Sequence, residues 1–323
     1  MAVRRSGVLA LVLFAVGTCS WSQDYPNRPV RVIVPFSPGA GTDFLARVTA
    51  QRLTEALGQQ FVVENRAGGA GGTVGSAFVA KAPADGYTLL MANMSSHNVA
   101  PHLYKKMPYD AIRDFAPVHL AGRTPQVLVT HPSLPVRDLK GLIALAKSRP
   151  GQLSFSTSGS GSSLHLAGEL FKAMAKIDIL HIPYKGASIA MTDLIAGQVS
   201  ISYPSISTAL PFIKQGRVLP LGVTGLTRFS LLPDVPTIAE GGLPGYELIN
   251  WIGLVAPVQT PRPIIAKLNE ELASWARDAE NRRKMAAVGF EIEPGTPAEF
   301  GEMLIKGHST TGKLMAALGM NQQ

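Results

Sequence analysis

Glycine and serine crowd two short stretches of this chain, and each lies between an apolar run and a helical pattern. The first is Pro35-Phe36-Ser37-Pro38-Gly39-Ala40-Gly41-Thr42-Asp43, after Val30-Arg31-Val32-Ile33-Val34 and before the helix-like run from Phe44 to Leu57. The second is Ser156-Thr157-Ser158-Gly159-Ser160-Gly161-Ser162-Ser163, after Leu153-Ser154-Phe155 and before the run from Leu164 to Ala175. A helix N-terminus carries unpaired N–H groups and about half a positive charge, so it attracts anions. Glycine lets backbone approach a ligand closely, and the hydroxyls add donors. The chemistry is anion binding, and two such mouths far apart in sequence suggest two half-sites closing on one anionic molecule. Phe36 offers a flat apolar wall. Thr42 or Asp43 is placed to cap its helix, and Asp43 is expected to organise the loop rather than touch an anion it would repel. Ser95 and Ser96, after the apolar run Thr88–Ala92, could supply a third set of donors.

Catalytic patterns are sparse by comparison. No Gly-x-Ser-x-Gly elbow, His-Glu-x-x-His pair or dinucleotide-binding glycine motif is present. Gly307-x-x-x-x-Gly312-Lys313 imitates a phosphate-binding loop, but Leu314 replaces the expected hydroxyl residue and no strand-like run precedes it. His165 and His181 are read as structural, although either could approach the cleft. An exported hydrolase using Ser162 or Ser163 with His165 lacks a recognisable orienting group. The expectation is a binding protein without enzymatic activity, cofactor or metal.

The elements that must hold these loops alternate between strand-like and helix-like patterns. Strands are expected at Val30–Phe36, Gln60–Glu64, Thr88–Ala92, Gln126–Thr130, Leu153–Ser156, Ile179–Ile182, Val199–Tyr203, Leu219–Thr224 and Leu248–Ala256. Helical faces recur between them, such as Leu45, Val48, Leu53 and Leu57 ahead of Gly58, and Ile264, Ile265, Leu268 and Leu272 behind Pro261 and Pro263. Gly68–Gly75 reads as a loop leading into a helix. This is the pattern of doubly wound α/β units, with both loops at strand C-terminal ends, where open α/β sheets bind ligands. Crossovers between two lobes are expected near Ala121-Gly122-Arg123 and near Gly245-Tyr246-Glu247.

Composition sets the compartment. The chain has 323 residues, 46% hydrophobic and 16% charged, enough for two packed lobes. Arg4, Arg5 and the apolar Val8–Val16, with small residues before Gln23, read as a cleaved secretory leader. The single cysteine, Cys19, would leave with it, and lipid anchoring through Cys19 is the weaker alternative. The net charge of +8 comes from scattered Lys and Arg without interleaved aromatics, which argues against nucleic acid.

The motifs Pro29–Phe36 with Gly39-x-Gly41-Thr42-Asp43, Val62-Val63-Glu64-Asn65-Arg66, Pro83-x-Asp85-Gly86-Tyr87-Thr88, His181-Ile182-Pro183-Tyr184-Lys185-Gly186 and Leu232-Pro233-Asp234-Val235-Pro236-Thr237 resemble, in order, the Bug-type receptors of tripartite tricarboxylate transporters. The resemblance runs from about Tyr25 to the C-terminus. It implies a periplasmic, monomeric two-lobe clamshell of the type II binding-protein kind, each lobe a doubly wound sheet. Residues 1–22 would be the leader, 23–122 and 246–323 one lobe, and 123–245 the other. The receptor would bind a small carboxylate and deliver it to membrane permease subunits; a sensor presenting its closed form to a signalling receptor is the alternative. Carried onto this chain, the first pincer is Phe36, Ser37, Gly39, Ala40, Gly41, Thr42 and Asp43. The second is Ser158, Gly159, Ser160, Gly161, Ser162 and Ser163. Two departures stand out: Ala40 replaces a frequent glycine, and Ser202-Tyr203-Pro204-Ser205 differs where the distal pocket is lined. Tyr203 is therefore expected in the site, and with it a preference for a bulkier or aromatic carboxylate.

Overall fold

The computed structural model describes residues 25–320. The expected leader and Cys19 lie outside these residues. In chain order the first elements are β1 (Val30–Val34), α1 (Gly41–Leu57), β2 (Phe61–Asn65), α2 (Thr73–Ala80), β3 (Thr88–Asn93), α3 (Ala100–Leu103) and β4 (Phe115–Pro125). Next come β5 (Val127–Thr130), α4 (Leu139–Ser148), β6 (Ser154–Thr157), α5 (Ser163–Ala175), β7 (Leu180–Pro183), α6 (Ala187–Ile195), β8 (Ile201–Ser202), α7 (Ile206–Lys214) and β9 (Leu219–Val223). The chain ends through β10 (Ile249–Pro257), α8 (Arg262–Arg277), α9 (Ala279–Ala286) and α10 (Pro297–Ala317).

Two five-stranded sheets form, in the orders β2-β1-β3-β10-β4 and β7-β6-β8-β5-β9. They share one plan. β1 runs parallel to β2 and β3, while β10 returns antiparallel between β3 and β4. Likewise β6 runs parallel to β7 and β8, while β5 lies antiparallel between β8 and β9. β1 and β6 are therefore equivalent strands, and each feeds one of the glycine/serine loops. Their apolar residues are buried, as strands covered on both faces require.

Among the described residues, nine of the ten strands fall where the apolar runs placed them. The exception is β4. A crossover was expected near Ala121-Gly122-Arg123, but these residues belong to an eleven-residue strand paired with β10. Pro117 and Gly122 break its apolar pattern; the edge of a sheet tolerates both, and β4 is an edge strand.

The chain passes between sheets twice: at Gln126, the single residue between β4 and β5, and through residues 224–248 between β9 and β10. The two passages are stitched together. Thr224 N–H donates to the Gln126 carbonyl (2.9 Å), Gln126 N–H to Thr224 Oγ1 (2.8 Å), and Leu248 N–H to the Thr224 carbonyl (2.9 Å). Val99, Leu103 and Met315, which are not part of that second sheet's segment, pack into its core with Phe155, Phe171 and Tyr246. α10 thus spans the molecule, with Phe300 and Leu304 in the first lobe and Met315 in the second.

Candidate functional site

The first loop is held from behind. Asp43 is buried, and its carboxylate accepts the Gly39 N–H (3.1 Å), the Asn65 amide (2.8 Å) and the Arg47 guanidinium (3.0 Å). Asn65 also donates to the Phe36 carbonyl (3.0 Å). Burial pushes the Asp43 pKa up, but these hydrogen bonds outweigh it and hold the carboxyl below the usual range. The sequence placed Thr42 or Asp43 as the cap of α1, but neither caps it. The helix begins earlier, at Gly41, with Ala40 as a cap that offers no side chain. The N–H groups of the first turn are unclaimed by a side-chain cap, and Ala40, Gly41 and Thr42 line the space between the lobes. Thr42 Oγ1 instead accepts from Asn93 Nδ2 (3.0 Å).

The second loop is held by its own serines and by two histidines. Ser162 caps α5, its Oγ accepting the His165 N–H (3.2 Å). His165 stacks on His181 at 4.1 Å and accepts the Gly161 N–H (3.4 Å). His181 shares a hydrogen with Thr157 Oγ1 (2.7 Å). Burial lowers both imidazoles, to about 3 and about 4, so both are neutral. Ser162 is fully buried and committed to its cap, and no serine hydroxyl of this loop pairs with the His165 ring among the described residues. The constellation positions backbone; it does not form a nucleophile–base pair.

Between the loops lies a chamber of about 50 Å³, several times the ~10–15 Å³ that one water needs. Phe36, Ser37, Ala40, Gly41 and Thr42 line it from the first lobe, with Asn93, Ser95 and Asn250. Ser158, Ser163, Leu164, Ala187, Ser205 and Thr208 line it from the second, and Gln126 lies where the lobes join. None of the lining side chains is charged. A wider mouth of about 680 Å³ opens beside it, sharing Phe36, Ser37 and Ser158 and walled by Gly68–Ala70, Tyr104, Gly159, Ser160, Tyr184 and Lys185. On the other side a hollow is lined by Gly39, Phe44 and Val288.

The lobes touch around this chamber. Ser163 N–H donates to Ser95 Oγ (2.9 Å), Ser37 Oγ to the Lys185 carbonyl (3.1 Å) and Ser188 Oγ to the Pro38 carbonyl (3.3 Å). Gly71 sits in a left-handed conformation (φ 65°), where a Cβ would come within 2.7 Å of the Gly161 carbonyl. The Gly68–Gly75 stretch, read only as a loop before a helix, is thus also part of the inter-lobe contact.

Several expected residues lie behind the chamber wall. Ser96 is buried against Asn93 and His97, within a π-helical turn at Ser95–Val99 rather than the polar turn its sequence suggests. Gly161 and Ser162 shape the second loop from inside. Tyr203 corrects the distal-wall expectation: it is fully buried in the second lobe's core near Phe171, because a large ring gains more from that apolar packing. It gives the chamber no ring face, and Ser205 lines the chamber instead. Asn93, Gln126, Thr208 and Asn250 were not anticipated. The available signal was a polar residue closing or interrupting an apolar strand, as in Thr88–Asn93 and Ile249–Pro257. Among the described residues there is no cluster suited to a metal, and no helix is long and apolar enough to cross a membrane.

The sequence profile described as "Tripartite tricarboxylate transporter family receptor" matches residues 45–320. Protein BugT of Bordetella pertussis is 41% identical over 274 residues, covering 84% of this chain and 84% of BugT. The solved structure "R. palustris Rpa4515 with adipate" superposes with a TM-score of 0.90 at 36% identity, covering 93% of this chain and all of that one. "MatC (Rpa3494) from Rhodopseudomonas palustris with bound malate" does so with a TM-score of 0.85 at 31% identity, covering 90% and 99%.

Proposed function

This chain belongs to the tripartite tricarboxylate transporter receptor family, and on that premise we propose that it is a periplasmic receptor which closes two lobes on a small carboxylate and hands it to membrane permease subunits. The observation that carries the reading is the meeting of two helix N-termini, α1 and α5, at one uncharged chamber. They leave equivalent strands of two like sheets, so a single carboxylate between them receives N–H groups and hydroxyls from both lobes. The relatives crystallised with adipate and with malate support a carboxylate as the ligand class. Neutral donors suit capture and release, because a fixed charge in a closed site would have to be desolvated.

The chamber takes the ligand's carboxylate, and the wider mouth beside Tyr104 and Tyr184 takes the rest of a longer acid. Because β4 stays whole in the first sheet, the lobes are residues 25–125 with 249–320, and residues 127–248, and the stitched passages at Gln126 and Thr224 act as the hinge. The protein works as a monomer and turns nothing over. Thermal-shift screening of the chain from Gln23 onward against mono-, di- and tricarboxylates tests this. A ligand that binds only the folded state must raise the midpoint by mass action. We expect a rise with one carboxylate class; no rise with any acid, in protein refolded to strip bound ligand, would overturn the reading.

A further inference from the structure

Pro101 removes a donor just behind the chamber. Without an N–H it cannot serve the carbonyl four residues back, at His97, or the one five residues back, at Ser96. The N–H of Ala100, the ordinary α-helical partner of Ser96, goes instead to the Ser95 carbonyl and closes the π-helical turn Ser95–Val99. Ser95, Ser96 and His97 are all buried, where an unpaired carbonyl is costly. Two side chains from outside the turn supply the missing donors. Tyr109 Oη donates to the Ser96 carbonyl (2.6 Å), and His308 Nδ1 of α10 donates to the His97 carbonyl (2.9 Å).

α10 is seated closely enough to do this. His102 Nε2 donates to the His308 carbonyl (2.8 Å), and the two rings lie 4.2 Å apart. Both acceptors are carbonyls, so His308 carries a hydrogen on Nδ1 and His102 one on Nε2. Gly307 and Gly312 permit the approach. A Cβ would stand 2.6 Å from Asn98 Nδ2 at the first and 2.6 Å from the His102 ring at the second. The glycine spacing that imitates a phosphate-binding loop is thus a contact face of α10 against the π-helical turn and α3.

The turn held in this way carries Ser95, which lines the chamber and accepts the Ser163 N–H at the start of α5 (2.9 Å). Neither Tyr109 nor His308 lines the chamber or the hollows on either side of it. We propose that Tyr109 and His308 are positioning residues of the binding site: by completing the Ser96 and His97 carbonyls they hold the turn that presents Ser95 to the second lobe, so that α10 supports ligand binding without touching the ligand. The inference rests on the carboxylate-receptor reading and deepens it. Loss of either donor leaves a buried carbonyl unpaired, and a shift of the turn toward another partner moves Ser95 off Ser163.

The test is a double-mutant cycle, read by calorimetric titration with whichever of succinate, malate, adipate and benzoate binds the parent protein tightest. His308→Phe keeps a ring and loses the donor, and Tyr109→Phe does the same at the other carbonyl. Each should weaken binding about two- to tenfold, and by no more than Ser95→Ala does. In a Ser95→Ala background the contact to Ser163 is already gone, so the same substitutions should leave affinity nearly unchanged. His308→Asn, whose amide nitrogen can stand in for the ring Nδ1, should recover most of the loss. If His308→Phe does not fold, Tyr109→Phe, which keeps its buried ring, carries the cycle. Equal losses with and without Ser95 would mark a general effect on stability and overturn the positioning role. Unchanged affinity in the folded single variants, or no recovery in His308→Asn, would overturn it as well. Failure of all four acids to bind the parent would overturn the carboxylate reading, and this inference with it.

Discussion

Gly41 shows how much of the site depends on single atoms. A Cβ there would lie 3.2 Å from Ser205 Oγ and from the Phe290 ring, and 3.3 Å from Ser207 Oγ, so it would press the first loop against the second lobe. Overpacking of this kind costs about 1–3 kcal/mol, which is roughly ten- to hundredfold in affinity. Gly41→Val should therefore lose ligand affinity by at least that range while keeping its circular dichroism spectrum. An unchanged dissociation constant would remove α1 from the site. Asp43 gives a prediction of a different kind. Its lowered pKa means that its stabilising hydrogen bonds are fully present above the ordinary aspartate value of about 3.9 and are lost as pH falls through the folded value. Asp43→Asn should cost about 2 kcal/mol at pH 7, and the gap to the parent protein should narrow below about pH 4 in denaturant titrations. At this scale the sequence was most informative about the loops and least about the wall. Ser37, Gly41 and Ser163 announce themselves by type and spacing. Asn93, Gln126 and Asn250 are isolated polar residues in apolar surroundings, and only the pairing of strands shows that they share a chamber.

Among the elements, the π-helical turn at Ser95–Val99 contributes the most that was not foreseen. It carries Ser95 to the second lobe, where Ser95 Oγ accepts the Ser163 N–H. It also buries His97, whose carbonyl accepts from His308 of α10 (2.9 Å). π-turns inside helices recur at functional sites, and no pattern in Ser95-Ser96-His97-Asn98-Val99 distinguishes one from an ordinary polar turn. Ser95→Ala removes one neutral hydrogen bond across the cleft, worth about 0.5–1.5 kcal/mol. It should weaken ligand binding about two- to tenfold and raise the dissociation rate in stopped-flow measurements; a faster association with unchanged dissociation would argue against a closing role. The strands were legible because their apolar runs are short and bounded. β4 was not, because its proline and glycine report the tolerance of an edge rather than the end of a strand. Gly307–Lys313 falls inside α10, so its likeness to a phosphate-binding loop has no structural counterpart.

The molecule is two copies of one sheet plan joined by two stitched passages and spanned by α10. The alternation of elements was visible in sequence. The shared plan was not, because it resides in strand order and direction while the residues of the two halves differ. Burial holds His97 and His165 at about 3, and His119 and His181 at about 4. All four are neutral in the folded protein but take up protons near pH 6.5 when unfolded. Unfolding then binds protons between about pH 6.5 and 4, so stability falls as pH drops through that window. The melting temperature should decline by several degrees from pH 7 to pH 5, and His165→Gln should flatten the decline. A melting temperature that holds constant or rises over that range would contradict the neutral, buried placement. The central claim is that both lobes grip one carboxylate through the N-termini of α1 and α5. A crystal structure with the best-binding acid tests it most directly. We expect one carboxylate within hydrogen-bonding distance of backbone N–H groups at Gly41–Thr42 and of Ser163 or Leu164; a carboxylate held by one lobe alone, or lodged outside the chamber, would contradict the account.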